Sequence, residues 1–358
     1  MRTPALAALV AASLLAACSG GGSSGSPATI PVTPPAPPAQ QLSPQDVAQS
    51  GTQATFGAVD TSEADASVGN GSLGTASSGR STQSAGFACR HRHSRTVTVN
   101  ADGSVTVETI AYYDQACTQV ERDAVATYAS SGGTATVART VTTFSLTHQQ
   151  LGQRKENYTL TGSTTNGSYT VRSAFYPGTS TTPLSQFAHS ATITPTIFTG
   201  TTAHVLNDAK PSINAAYGHQ FASNATIGTD SSGDTTYTGT RDGTFFKGAL
   251  GALSITTAPP FTISGGTQLG TSALTGTIAF TPDGTLASMN VTGTLESGNA
   301  IVVTSTTDAT GAVTVNGTIT SATGAPVATF VTDASGNGIL TLASGTQVPI
   351  VDWHVLWS

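Results

Sequence analysis

The sequence predicts an all-β protein. It reads as an extended antiparallel meander, arranged as a sandwich, an open barrel or a solenoid-like stack, behind a disordered N-terminal tether. Three observations carry this. Threonine, 64 of 358 residues, alternates with apolar residues after about Phe87, the period-two pattern of half-buried strands. Turn dipeptides such as Asp102-Gly103 and Asn166-Gly167 punctuate those runs. Helical periodicity is sparse, and only Thr118–Tyr128 and Leu146–Lys155 suggest it.

Composition narrows the function. Charged residues make up 9% of the chain and the formal net charge is -6, against about 25% charged in an ordinary soluble protein. Thirteen basic residues are too few for a nucleic-acid surface. Three cysteines are too few for a disulfide-dense scaffold.

Met1-Arg2 is followed by an apolar run from Ala5 to Ala17, broken only by Ser13 and ending at Cys18. A single positive charge, a short apolar core and small residues before a cut site form a secretory signal over residues 1–17. The run is too short to span a bilayer, which needs about 20 residues. Leu15-Ala16-Ala17-Cys18 resembles the lipobox of bacterial lipoproteins. The resemblance covers the signal alone and no family is recognised for the folded part. It implies cleavage before Cys18, a diacylglycerol on its thiol and an acyl chain on its amine, so the expected partner is a membrane, reached through lipid. Ser19 in place of Asp implies, by the same resemblance, sorting to the outer membrane of the cell envelope.

Residues 18–85 read as the lipidated tether. Gly20–Ser26 is a flexible linker, Pro31–Pro38 favours polyproline II, and the remainder is Ser, Thr, Gly and Ala with Arg80. Gly21–Gly25 matches the G-x-S-x-G pattern of hydrolase nucleophiles, but it lies in low-complexity sequence without a preceding strand.

The β-rich domain spans 86–358. Arg95–Asn100 and Ser104–Ile110 flank Asp102-Gly103, and Asn157–Thr161 and Ser168–Arg172 flank Asn166-Gly167. Further turns are expected at Ser232-Gly233 and Asp242-Gly243. From about 265 the chain reads as hairpin repeats of period 25, with Asp283, Asp308 and Asp333 each in a turn between two strand-like runs. A subdivision near 265 is therefore expected. One Asp per turn suits capping of local backbone donors better than calcium, which needs several converging oxygens. No Lys or Arg follows Lys247.

Two cysteines remain after lipidation, Cys89 and Cys117, and an oxidising compartment makes a disulfide between them the expectation. If Ala101 faces Val105, counting outward along the hairpin sets Cys89 opposite Cys117. His91 and His93, in the basic cluster Arg90–Arg95, share a strand face and form a candidate metal pair. A third ligand would come from His148, His189, His204, His219 or His354; a solvated strand end is the plainer account. The final segment Ile350–Trp357 reads as a strand packing Trp353 into the core, with Trp353 and Trp357 as an alternative carbohydrate platform. Neither a zinc-protease motif nor a nucleotide loop is found, and no cofactor is expected. A transmembrane pore is disfavoured because Thr and Ala occupy the strand faces that lipid would contact. These readings favour a non-enzymatic structural, adhesive or binding protein of the envelope over a polymer-directed hydrolase or a carbohydrate- or metal-binding protein.

Overall fold

A computed structural model of the protein describes residues 42–69, 85–90, 93–207, 214–281 and 284–357. Cys18, His91 and Asp283, the signal segment and the Gly20–Ser26 and Pro31–Pro38 parts of the expected tether lie outside these residues. The meander expectation holds. Nineteen strands form one antiparallel sheet, wrapped around a helix that the sequence reading did not anticipate.

The helix, α1, runs Pro44–Gly69, inside the stretch read as tether. Its start is locally encoded. The Ser43 hydroxyl accepts the Asp46 N–H at 3.1 Å, and the Asp46 carboxylate accepts the Ser43 N–H at 3.1 Å. This is a capping box with proline at the first helical position. Nearly every described side chain of α1 is buried, polar ones included. Thr52 and Thr61 turn their hydroxyls back to the carbonyls of Ala48 and Gly57, at 2.9 and 2.6 Å. A helix that mixes polar with small or apolar residues and is buried all round shows no clean apolar stripe, which explains why composition suggested a tether.

The strands are β1 Ala85–Arg90, β2 His93–Val99, β3 Val105–Tyr112, β4 Val120–Ser131, β5 Thr134–Phe144, β6 Gln150–Gly162 and β7 Gly167–Pro177. Then follow β8 Ser185–Ile193, β9 Ile197–Asn207, β10 Ala215–Thr229, β11 Thr235–Ala249, β12 Ser254–Ile255, β13 Ile263–Ser264 and β14 Thr267–Phe280. The last are β15 Leu286–Thr294, β16 Ala300–Thr307, β17 Val313–Thr320, β18 Pro326–Asp333, β19 Gly338–Leu342, β20 Gln347–Val351 and β21 His354–Val355. Each pairs with its sequence neighbour, except that β11 pairs with β14 and the short β12–β13 hairpin stands apart. The two stretches suggested as helices belong mainly to β4 and β6. Pairing on both sides overrode the faint helical spacing, β4 being laddered to β3 and β5 and β6 to β5 and β7.

The curl is held by side chains. α1 touches β9, β10, β11, β14, β17, β18 and β19 and carries ion pairs to β4, β5 and β6. Across the seam, Ser335 donates to Glu121 at 2.9 Å. His354 stacks on Phe175 with ring centroids 4.1 Å apart. The core joins the helix to the C-terminal strands, with Phe56 against Phe330 at 5.3 Å and Trp353 at 5.4 Å. No boundary falls near 265, because β11 and β14 are registered from Thr235↔Phe280 to Lys247↔Thr267.

Several local expectations hold. The hairpin expected around Asn166-Gly167 is present, but its turn is Ser163–Asn166 and Gly167 already belongs to β7, paired with Gly162; the turn at Ser232-Gly233 is present. The strand runs of the C-terminal repeats are all present. In the turns, Asp308 Oδ1 accepts the N–H groups of Thr310 and Ala312, and Asp333 Oδ1 those of Ser335 and Asn337.

Others are corrected. Asp242-Gly243 is not a turn but mid-strand in β11. A Cβ on Gly243 would sit 2.3 Å from His219 Nε2, so this glycine serves close approach. In the first hairpin Val99 faces Val105 and Val97 faces Val107, two residues from the expected register, because the loop closes between Asn100 and Ser104. The chain then reverses between β1 and β2, so Cys89 lies on a returning strand and not on the extension of β2 opposite Cys117. Cys117 sits in a turn with φ 57. The described residues carry no placement of the Cys89 side chain. The terminal segment is not one strand either. It turns at Asp352 and Trp353, with φ 48 and 62.

Candidate functional site

Two polar regions are conspicuous, one inside the curled sheet around α1 and one on its outer face. Inside, α1 presents Asp60, Glu63 and Asp65 to the strands. Arg154 on β6 lies 3.3 Å from Asp60, 3.1 Å from Glu63 and 3.5 Å from Glu156. Its Nε is 3.3 Å from Asp352 Oδ2 but not aligned for a hydrogen bond. Glu63 also meets Arg122 and Arg139, each at 3.3 Å. Burial pushes the Glu63 carboxyl up, but the three guanidinium groups prevail and hold it well below the usual carboxylate range. For Asp60 burial wins, and the carboxyl is held well above that range. Asp65 accepts from the Tyr169 hydroxyl and lies 3.2 Å from His189 Nε2, while His189 Nδ1 is 2.9 Å from Thr202. These groups are engaged with one another and hold the helix in place.

Of the proposed metal ligands, His91 lies outside the described residues and the candidates for a third ligand lie apart. His189, His204, His219 and His354 are buried inside the curled sheet, whereas His148 is at a hairpin tip, stacked on Phe144 at 4.9 Å. Among the described residues no three metal-ligating side chains form a group. The platform reading of Trp353 and Trp357 is corrected too. Both are buried, Trp353 against Phe56 and Trp357 donating to Gln49 Oε1 at 2.6 Å.

His204 and His219 are direct cross-strand partners. Neither ring nitrogen of His204 has a partner. Burial, then the neighbouring His354, pushes His204 down to about 3. A histidine depressed below its unfolded value contributes stability present above about pH 6.5 and lost as pH falls toward the folded value. His204→Phe is expected to match the parent within about 1 kcal/mol at pH 7.5. At pH 4.5 it is expected to exceed the parent by about 2 kcal/mol. Urea unfolding at both values checks this, and an equal gap at the two would refute it.

Outside, a groove of about 600 Å³ crosses strands β6 to β11. Its floor is built by register. Thr159, Thr170, Ser190, Thr201, Ala222 and Asp242 are successive cross-strand partners. Two residues along each strand, Thr161, Ser168, Thr192, Thr199, Asn224 and Thr240 form a second rank. Period-two alternation sets these side chains outward and sends Leu160, Tyr169 and Arg241 inward. With strands about 4.8 Å apart, each rank is about 24 Å long, and the ranks lie about 7 Å apart. Ser190 and Thr201 hydroxyls lie 3.1 Å apart.

One wall is the β12–β13 excursion. Leu253, Phe261 and Ile263 pack on Ala188, Ala203, Val205 and Ala216 of the outer sheet face. The Ile263 N–H donates to Gln220 Oε1 at 3.0 Å. Arg172 donates to the Thr256 carbonyl and lies 4.7 Å over the Phe261 ring. The excursion brings Pro259 to the groove. Asp242 is the one charged residue of the lining, and the one aromatic residue, Tyr169, is buried with its hydroxyl on Asp65. Sequence reasoning missed this site because each Thr-x-Thr segment looks like any solvent face. Only registration across six strands distinguishes it.

Comparison of the chain with protein-family models, with curated proteins and with solved structures finds no match.

Proposed function

We propose that this chain is a non-enzymatic binding protein of the bacterial cell envelope, held to the outer membrane by lipid on Cys18 and receiving its ligand in the groove across β6–β11. The observation that supports this reading most is the pair of registered ranks of hydroxyls, walled by a segment that packs on the sheet through its own small core. A concave site with few convergent polar groups suits binding. A polymer-directed hydrolase is less well supported. Hydrolysis of a glycan ordinarily uses two carboxyl groups flanking the bond, and the groove lining contains one, Asp242. The Cys89–Cys117 disulfide belongs to this proposal, since the end of β1 and the turn carrying Cys117 lie at the same end of the β1–β3 edge.

The test uses the full chain in cells and, added to isolated envelopes, the chain without signal and lipid, so that retention there reports the groove and not the acyl anchor. Cys18→Ala is expected to move the protein from the membrane to the soluble fraction. Ala222 is exposed on the groove floor, one strand from its Asp242 end, so Ala222→Trp obstructs it without entering the core. This variant is expected to lose retention by envelopes while keeping the parent unfolding midpoint. Unchanged retention by Ala222→Trp would exclude the groove as the binding site.

A further inference from the structure

We infer that the ligand of the groove is a neutral, polyhydroxylated chain, a stretch of glycan lying across the strands. This deepens the reading given above and rests on it. Four features of the groove select that chemistry. First, each Thr or Ser hydroxyl donates one hydrogen bond and accepts two, the same dual capacity as a sugar hydroxyl. Two ranks of them satisfy a polyol in either chain direction. Asn224, and the acceptor-only carboxylate of Asp242, fix donors at one end.

Second, among the described residues the lining holds no cation. Arg241 on β11 points inward to Ser62 at 2.6 Å, and Arg172 is occupied by Thr256 and Phe261. An anionic polymer would meet Asp242 and gain no opposite charge. Third, the apolar atoms are spread thinly, as threonine methyls, Ala222 and the Pro259 ring. They suit the C–H faces of sugar rings and are too dispersed to desolvate a lipid chain. Fourth, the strands of the floor are paired on both sides. Their backbone groups are spent in the ladder, so a peptide cannot add as a further strand, which requires an open edge. The shape agrees, being long and shallow.

The experiment titrates the mature full chain by calorimetry with maltohexaose, cellohexaose and mannohexaose, and with hexagalacturonate and a neutral hexapeptide as contrasts. Binding of at least one neutral hexasaccharide is expected, without binding of hexagalacturonate or the peptide. Thr199→Val combined with Thr201→Val is expected to weaken the complex about tenfold, as two hydrogen bonds of modest net worth are lost. Ala222→Trp is expected to abolish it. Asp242→Lys is expected to admit hexagalacturonate. Saccharide binding that survives Ala222→Trp overturns the assignment to this groove. If the anionic chain or the peptide binds in place of the neutral saccharides, and Ala222→Trp abolishes that binding, the glycan inference fails and the groove remains a binding site. If no probe binds and envelope retention also ignores Ala222→Trp, both readings fail together.

Discussion

A chain beginning at Ala85 is expected not to fold, whereas one beginning at Leu42 is expected to unfold cooperatively. The β-rich region looks self-sufficient in sequence, but its interior is completed by α1. Without the helix, Phe330 and Trp353 lose Phe56, and Ile319 loses the close approach of Gly51. Arg122, Arg139 and Arg154 lose Glu63, and Arg154 also loses Asp60. The guanidinium groups would then share only Glu156 and Asp352 in a space no other element fills. Breaking one buried pair costs about 3–5 kcal/mol, and stabilities are about 5–15 kcal/mol in total. Losing several pairs together with the core contacts exceeds what a domain can absorb. Near-ultraviolet dichroism of Trp353 and Trp357 and a urea titration check the outcome. Addition of a peptide of residues 42–69 is expected to restore the transition. A cooperative transition with native dichroism from the shorter chain alone would overturn the role given to α1.

How much of this was legible follows from the range of each signal. The hairpin around Asn166-Gly167 is encoded within a dozen residues, by turn chemistry and alternation, although the turn itself falls at Ser163–Asn166. The Asn100–Ser104 loop admitted two closures, and the register slipped by two residues. Gly243 shows a different limit. Asp-Gly is a turn signal only when nothing distant requires the missing Cβ, and here His219 does. The helix was hidden by an assumption about interiors. Buried helices are recognised by apolar stripes, while α1 buries Ser50, Thr52, Gln53, Thr55, Thr61 and Ser62 against a partly polar lining. Its one local mark, Ser43-Pro44-Gln45-Asp46, is a capping box. The low charge content misled in the same direction. Arg122, Arg139, Arg154 and Arg241 all face inward, and Asp60, Asp65, Glu156 and Asp352 are buried with them, so a sizeable share of the scarce charges is interior, against the ordinary distribution. The groove is a property of six strands in register, and no single segment contains it.

The interior charge cluster yields the sharpest substitution. Arg154→Met keeps an unbranched side chain but leaves Asp60, Glu63, Glu156 and Asp352 near one another without their shared cation. Destabilisation of about 3–5 kcal/mol is expected at pH 7.5, the cost of breaking a buried pair by removing one partner. Asp60→Asn is expected to change stability by no more than about 1 kcal/mol, since burial already holds Asp60 above the usual carboxylate range and the neutral form is close to an amide. The pH dependence separates a charge effect from a packing effect. Without Arg154 the attraction that opposes burial at Asp60 and Asp352 is lost, and these two carboxyls rise further. An acid raised above its unfolded value contributes stability present at low pH and lost as pH rises through the folded value. The deficit of Arg154→Met is therefore expected to shrink between pH 7.5 and pH 5, as the clustered carboxyls take up protons. A cavity left by packing alone would give the same deficit at both values. Urea midpoints for the parent, Arg154→Met and Asp60→Asn at the two pH values decide it. A constant deficit would show that Arg154 acts as filler, and that the ionic contacts on Glu63 from Arg122 and Arg139 suffice to hold the helix.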